Sequence, residues 1–182
     1  MTQKEALDIL KTGRNVFLTG PAGSGKTFVL REYIKYLKEL NANIGITAST
    51  GIAATHMGGT TIHSWSGIGI NNSLTSSEIS EIAERSHVVK KIKDSSVLII
   101  DEISMLSHNH LDLVDKVVRE IKSKDMPFGG MQVVLCGDFF QLPPIHRSGE
   151  LEALFAYHGT SWKDMGVKIC YLSEQHRQKD DH

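Results

Sequence analysis

Apolar residues recur along this chain at two spacings. Short continuous runs have the length and content of strands buried on both faces: Asn15–Thr19 (NVFLT), Asn43–Ala48 (NIGITA), Val97–Ile100, Met131–Cys136 and Val167–Leu172. Helical spacings lie between them. Thr2-x-x-Glu5 is a capping-box pattern, the stripe Ala6, Leu7, Leu10 follows it, and Gly13 closes that helix. Val29, Leu30, Tyr33, Ile34 and Leu37 form the inner face of a helix predicted over Thr27–Leu40. Ser49–Met57 reads as a helix broken by Gly58-Gly59. Leu111, Val114, Val117, Val118 and Ile121 stripe a helix over His110–Lys122, and Ser161–Met165 reads as one helical turn. The Gly-, Ser- and Asn-rich stretch Trp65–Ser77 reads as a loop, Lys90–Ser96 as a connector, and Asp138–Arg147 as a Pro-containing loop.

Strands that alternate with helices imply an α/β fold with a parallel sheet covered on both faces. Ligands of such sheets bind beyond the carboxyl ends of the strands. The chain has 182 residues, which suits one domain, and no internal repeat. Its 20 Lys+Arg against 21 Asp+Glu leave a net charge of −1. That balance excludes a strongly basic nucleic-acid coat and a polybasic membrane binder, but not nucleic acid held in a local groove. The apolar runs are too short to span a bilayer, and the N-terminus has no signal-peptide core. Cys136 and Cys170 sit in strand-like runs and read as buried thiols in a reducing compartment, so an intracellular protein is expected.

The polar motifs follow the strand ends. Gly20-Pro21-Ala22-Gly23-Ser24-Gly25-Lys26-Thr27 matches G-x-x-x-x-G-K-[ST], after a strand and at the opening of a helix. Such a loop turns backbone N–H groups toward a polyphosphate. Lys26 is expected on the β- and γ-phosphates of ATP, and the Thr27 hydroxyl on Mg²⁺. Asp101-Glu102 ends the third strand. Asp101 suits the metal, and Glu102 suits polarising the attacking water. Gln141, on a loop stiffened by Pro143-Pro144, can report on the γ-phosphate. Arg177, beyond the fifth strand, can stabilise transition-state charge.

Thr50–Ser66 offers hydroxyls, Gly pairs and His63, groups that bind phosphate without base preference. Trp65 suits either a base-stacking or a core position. Weak, salt-sensitive single-strand binding is expected, because Lys and Arg do not cluster here. His108-x-His110 reads as a helix start rather than a metal site, Lys90-Lys91-Ile92-Lys93 as a solvated edge, and Phe28 and Tyr33 as full or partial core.

Together these motifs resemble one family along nearly the whole chain: the PIF-type (Pif-one) helicases of superfamily 1. Asn15–Thr27 is similar to its phosphate-loop segment, and Gln3 to its adenine-reading glutamine. Ala48–Ala54 and Gly58–Ser64 resemble its two single-strand-contacting motifs, which assigns Thr50, Gly51, Thr61, His63 and Ser64 to DNA. Leu111–Gln132, with Pro127-Phe128-Gly129-Gly130-Met131-Gln132, resembles its signature element, and Asp138–Pro144 (DFFQLPP) and Arg177-Gln178 complete the set. The resemblance implies a RecA-like P-loop NTPase domain over residues 1–182, with strand order 5-1-4-3-2. It further implies ATP, Mg²⁺ and single-stranded DNA as partners, and a monomer. Five-prime to three-prime helicase activity and roles in repair, recombination and telomere maintenance follow from it.

The family's second RecA-like domain is expected to lie outside this chain, so hydrolysis here is expected to be slow and unwinding absent. The alternative is a module that binds ATP and single strands without turnover. A P-loop small-molecule kinase fits less well, because its six Arg are scattered. The compartment implied is cytoplasmic for a bacterial host and nuclear or mitochondrial for a eukaryotic one.

Overall fold

The computed structural model describes residues 1–144 and 153–174. In chain order they form α1 (Gln3–Lys11), β1 (Val16–Thr19), α2 (Lys26–Glu39), β2 (Ile44–Ala48), α3 (Gly51–Met57), β3 (Thr60–Thr61) and α4 (Ile62–Ser66). There follow α5 (Ser76–Ile82), α6 (Ser86–Asp94), β4 (Val97–Asp101), α7 (His108–Lys122), β5 (Gln132–Cys136), α8 (Thr160–Met165) and β6 (Lys168–Tyr171). All six strands are parallel, in the order β3-β2-β4-β5-β1-β6. The five anticipated strands keep their expected order. The sixth, Thr60–Thr61, extends the sheet at its edge by pairing with Thr47 and Ala48.

Alternation along each strand builds two cores. Leu98, Ile100, Val133, Leu135 and Phe17 point to one face, beneath residues of α4 to α8. Val97, Ile99, Val134, Cys136, Val16 and Leu18 point to the other, beneath α1, α2 and Met57 of α3. This is why the central strands β4 and β5 read as unbroken apolar runs, covered on both faces, whereas the edge strand β6 exposes all but Cys170.

Several local readings change. Lys90–Ser96 is not a connector, because α6 runs through Asp94 and buries Val88 and Ile92 one turn apart. Trp65 and Ser66 end a short helix, and Ser76 opens another, so the predicted loop is shorter at both ends. The helix after the phosphate loop begins at Lys26, and α7 begins at His108. Trp65 is 4% exposed, so it is core and not a stacking platform. It lies against Gly45, where a Cβ would come within 2.9 Å of its ring. Phe28, read as core, is 55% exposed; Tyr33 is buried as expected.

The signature element is a buried polar clamp. Asp115 of α7 accepts the Phe128 N–H at 2.6 Å and both oxygens take Arg119 Nε at 3.0 Å. That carboxylate holds the left-handed backbone of Phe128 (φ 50°) in the turn before β5. Gln132, the last residue of the element, binds α1 and α2 from β5. Asp112 of α7 likewise caps the start of α8, accepting from Thr160 N and Ser161 N.

Candidate active site

The phosphate loop joins β1 to α2, and its geometry depends on two glycines. Gly25 stands at φ 91° as the residue before α2, a left-handed conformation that a side chain disfavours. At Gly20 a Cβ would sit 2.6 Å from the Leu172 carbonyl oxygen of the strand alongside. The helix N-terminus is thereby left open toward the loop, where its unpaired N–H groups favour an anion. Lys26 Nζ folds over the loop and donates to the carbonyls of Gly20 (2.7 Å) and Pro21 (3.1 Å). Pro21, Ala22 and Gly23 carry the loop outward, and Ser24 is fully buried beneath it. The Ser24 hydroxyl has no hydrogen-bond partner among the described residues.

Gln3 of α1 reaches the same loop. Its side-chain Nε2 donates to the Ser24 carbonyl at 3.2 Å, and a Cβ on Gly25 would collide with it. A glutamine 21 positions before the loop's serine in sequence is thus packed against it in space.

A cleft of about 630 Å³ brings the remaining groups together. Its lining includes Thr27, Thr50, Asp101, Glu102 and Gln141, from the carboxyl ends of β1, β2, β4 and β5. Arg31, Ile52, His56, Met57, Met105 and Leu142 complete much of the wall; Ile52 and Leu142 fall inside the motifs Ala48–Ala54 and Asp138–Pro144, but the sequence singles out none of the six as a site residue. Arg31 has a signal of another kind: it stands four residues after Thr27 and so on the same face of α2. Gln141 is exposed, and its loop is anchored by Phe139. The Phe139 ring lies 4.8–5.9 Å from those of Phe17, Phe155, Tyr157 and Trp162.

The acidic pair is electrostatically loaded. Burial pushes the Asp101 carboxyl up, against hydrogen bonds from the Glu102 N–H and the Cys136 thiol and the nearby Lys26 charge. Glu102 is raised by burial and by Asp101, against the pull of Lys26. Two carboxylates lifted this way favour a cation beside them. The exposed hydroxyl of Thr27 and the carboxylate of Asp101 offer hard oxygen ligands in one cleft, which fits Mg²⁺. Glu102 holds left-handed backbone (φ 54°, ψ 44°), unusual for a residue with a side chain. The Ser49 hydroxyl donates to its carbonyl at 2.6 Å. Cys136 is fully buried, and its thiol is raised well above the ordinary range by desolvation. Cys136 and Cys170 are both free and buried.

On the nucleic-acid side, Thr50 and Thr61 cap α3 and α4, their hydroxyls accepting from Ala53 N and Ser64 N. Each hydroxyl keeps its own proton to donate. Gly51 and the Ser64 side chain are exposed beside them. His63 is half-buried, its ring edge-on to that of His110 with centroids 5.0 Å apart. Burial and His110 hold it below the ordinary imidazole range, so it is a neutral, partly packed group. His108-x-His110 does open a helix, as its sequence suggests, but that first turn of α7 packs against α4 and is not a fully exposed start. Arg177 and Gln178 lie outside the described residues. Among those described, no cluster of His, Cys, Asp and Glu forms a metal site, and no helix is long and apolar enough to cross a membrane.

Comparison with known proteins gives the same outline. The family model for PIF1-like helicase matches residues 2–182. The ATP-dependent DNA helicase Pif1 of Psychrobacter sp. (strain PRwf-1) is 56% identical over 180 residues, 98% of this chain and 27% of that protein. The ATP-dependent DNA helicase RRM3 of Saccharomyces cerevisiae is 43% identical over 176 residues, 95% of this chain and 24% of its own length. The chain therefore spans about a quarter of these curated relatives. The crystal structure of Pif1 helicase from Candida albicans superposes with a TM-score of 0.90 at 37% identity, covering 98% of this chain and 40% of that one. Pif1 helicase from Bacteroides in complex with ADP-AlF3 and ssDNA gives 0.85 at 34%, covering 98% and 43%. Phosphate loop, acidic pair and parallel RecA-like sheet all sit within that matched length, and the chain belongs to the PIF1-like helicase family.

Proposed function

We propose that this chain is the nucleotide-binding motor domain of an ATP-dependent DNA helicase. The observation that carries the reading is the single cleft. Thr27, Thr50, Asp101, Glu102 and Gln141 come from four strand ends spread over more than a hundred positions, yet line one cavity. Helicase names among the relatives support it.

Lys26 leaves the Gly20 and Pro21 carbonyls and binds the β- and γ-phosphates of ATP, which takes up the anion's charge at the helix N-terminus. Gly20 to Gly25 cradle the phosphates by their N–H groups, and Gln3 reads the adenine edge. Thr27 and Asp101 hold Mg²⁺. When bound, that ion neutralises charge on the terminal phosphates. Glu102, ionised, accepts a hydrogen bond from the attacking water and aims its oxygen at the γ-phosphorus. Gln141 senses the γ-phosphate and passes its presence to the Phe139 loop. Arg177 completes the charge clamp.

Thr50, Gly51, Thr61, His63 and Ser64 contact the phosphates of single-stranded DNA from the carboxyl ends of β2 and β3. Thr50 belongs to both the DNA segment and the nucleotide cleft, which makes it the shortest link between them. The whole protein is proposed to translocate five-prime to three-prime, acting in repair, recombination and telomere or genome maintenance. One site per chain suffices for this chemistry, so a monomer is proposed. The relative's structure titled for two coordinating Pif1 helicases at forked dsDNA is the counter-case for the intact protein.

The test is phosphate release from this chain with Mg-ATP, with and without poly-dT, beside Lys26→Ala and Glu102→Gln. Slow turnover raised by poly-dT and lost in both variants supports the reading. Nucleotide binding without turnover in the parent chain makes it a binding module. Unchanged turnover in either variant overturns the roles given to those residues.

A further inference from the structure

The cleft does not end at Arg31. Arg31 and Met57 also line a second depression of about 620 Å³, which continues between α2 and α3 past Ile34, Lys35 and Lys38 to Gly58. Positions 31, 35 and 38 recur at i, i+4 and i+7, on the α2 face that carries Thr27 at its upper end. All three side chains are exposed. Arg31 makes one long bond, 3.5 Å to the His56 carbonyl. None of the ion pairs within 4.0 Å among the described residues involves Arg31, Lys35 or Lys38. Glu39 closes the far end of the groove without pairing to it.

Like charges three and four apart disfavour a helix. Three of them in a row, in no ion pair within 4.0 Å and above an apolar floor of Ile34 and Met57, match an extended polyanion. At 1.5 Å rise per residue the row is about 10 Å long. That length is on the scale of a short stretch, about two nucleotides, of one extended strand. The groove is also continuous with Thr50, which fits a strand better than a separate acidic protein.

We propose that the α2–α3 groove holds the phosphate backbone of a nucleic-acid strand through Arg31, Lys35 and Lys38. It extends the contact surface beyond Thr50–Ser64. The contact carries no base preference, since it reaches phosphate alone. It rests on the nucleic-acid reading above.

The experiment measures anisotropy of labelled oligo-dT on this chain across about 50–200 mM salt. The triple variant Arg31→Gln, Lys35→Gln, Lys38→Gln is compared with Lys163→Gln, Lys168→Gln, which removes exposed charge elsewhere. The expected result is a slope of log affinity against log salt shallower by about 0.7 per cation removed, near 2 in all. Affinity at low salt falls roughly tenfold or more, and the control is unchanged. The triple variant should melt no lower than its parent, because like-charge repulsion is relieved.

A parent-like slope in the triple variant overturns the proposal. If Ser64→Glu then still weakens binding, the nucleic-acid reading stands and only the groove falls. If the parent chain does not bind oligo-dT at all, both fall. Equal competition by poly-Glu and oligo-dT at matched charge overturns the assignment to nucleic acid.

Discussion

Gln132 accepts the Tyr33 hydroxyl on its side-chain oxygen at 2.5 Å, ninety-nine residues apart in sequence and both buried. The same side chain donates to the carbonyls of Leu10 (3.0 Å), in the last turn of α1, and Arg14 (2.7 Å), beyond its end. One amide thus ties α1, α2 and β5, and with α1 it fixes Gln3 against the phosphate loop. Gln132→Leu leaves the Tyr33 hydroxyl and the Arg14 carbonyl short of a partner, while the Leu10 carbonyl keeps the Gly13 N–H, at about 1–3 kcal/mol for each group that stays dry. The expected loss is about 3 kcal/mol, a drop of about 6–12 °C in a chain of this size. A thermal melt measures it. Because α1 loosens, nucleotide affinity should fall as well. An unchanged melt would remove the clamp from the account.

The same contact governs the alkaline limit. Burial raises the Tyr33 pKa to about 12, outweighing the opposing Gln132 bond. The unfolded tyrosine ionises near 10. Between those values the unfolded chain has lost a proton that the folded chain keeps, so stability falls as pH rises through that window. Urea titrations at successive pH values should show this loss, and Tyr33→Phe should abolish it. An equal loss in the phenylalanine variant would assign the effect to other groups.

The acidic pair should trade stability for function. Both carboxyls are raised, so the folded state holds protons that the unfolded state releases. Their contribution to stability is therefore lost as pH rises from the ordinary carboxylate range through their elevated values. Asp101→Asn keeps an acceptor for the Glu102 N–H and removes one buried charge. It should stabilise the chain by about 1 kcal/mol at neutral pH. It should also lower the Glu102 pKa, read by carboxyl NMR, and abolish any melting shift that added Mg²⁺ produces in the parent. A destabilised variant with unshifted Glu102 would contradict the coupling.

The central strands β1, β4 and β5 are legible because burial on both faces leaves mostly apolar residues, and β6 is legible from its apolar run although only Cys170 of its four residues is buried. The edge strand Thr60–Thr61 has two residues and no apolar signal. Helix α6 was hidden because Arg85 gives no side-chain cap and three lysines surround Val88 and Ile92. Trp65 depends on the space left by Gly45, twenty positions away, which no local pattern records. The phosphate loop and Asp101-Glu102 were legible because each is contiguous. The Gln132 clamp, the His63–His110 contact and the basic row on α2 all depend on which distant elements pack together or leave a face open.

Glu102 offers a backbone test of its own. Left-handed backbone costs a side-chain-bearing residue about 1–2 kcal/mol relative to glycine. Glu102→Gly and Glu102→Ala both remove the carboxylate, so both should lack hydrolysis. Only the glycine variant relieves the backbone, and it should be the more stable of the two by about 1 kcal/mol. Urea unfolding compares them directly. Equal stabilities would mean that the Ser49 bond to the Glu102 carbonyl, not the conformation, decides the energy of this turn.

Adjacent phenylalanines should behave in opposite ways. Phe139 lies among Phe17, Phe155, Tyr157 and Trp162, whereas Phe140 is 99% exposed. Phe139→Ala removes a ring that bridges the end of β5 to the helices over it, at about 3 kcal/mol. Phe140→Ala should change stability by less than about 0.5 kcal/mol. The activity consequence follows from position: Gln141 is two residues beyond Phe139, and its loop has no other aromatic anchor among the described residues. Phe139→Leu, which keeps apolar volume, should recover most of the stability but less of the turnover, since a flexible side chain holds the loop less rigidly. Full recovery of both would mean that Gln141 is placed by the Asp138 turn, where Oδ1 accepts the Phe140 N–H at 2.9 Å, and not by the ring.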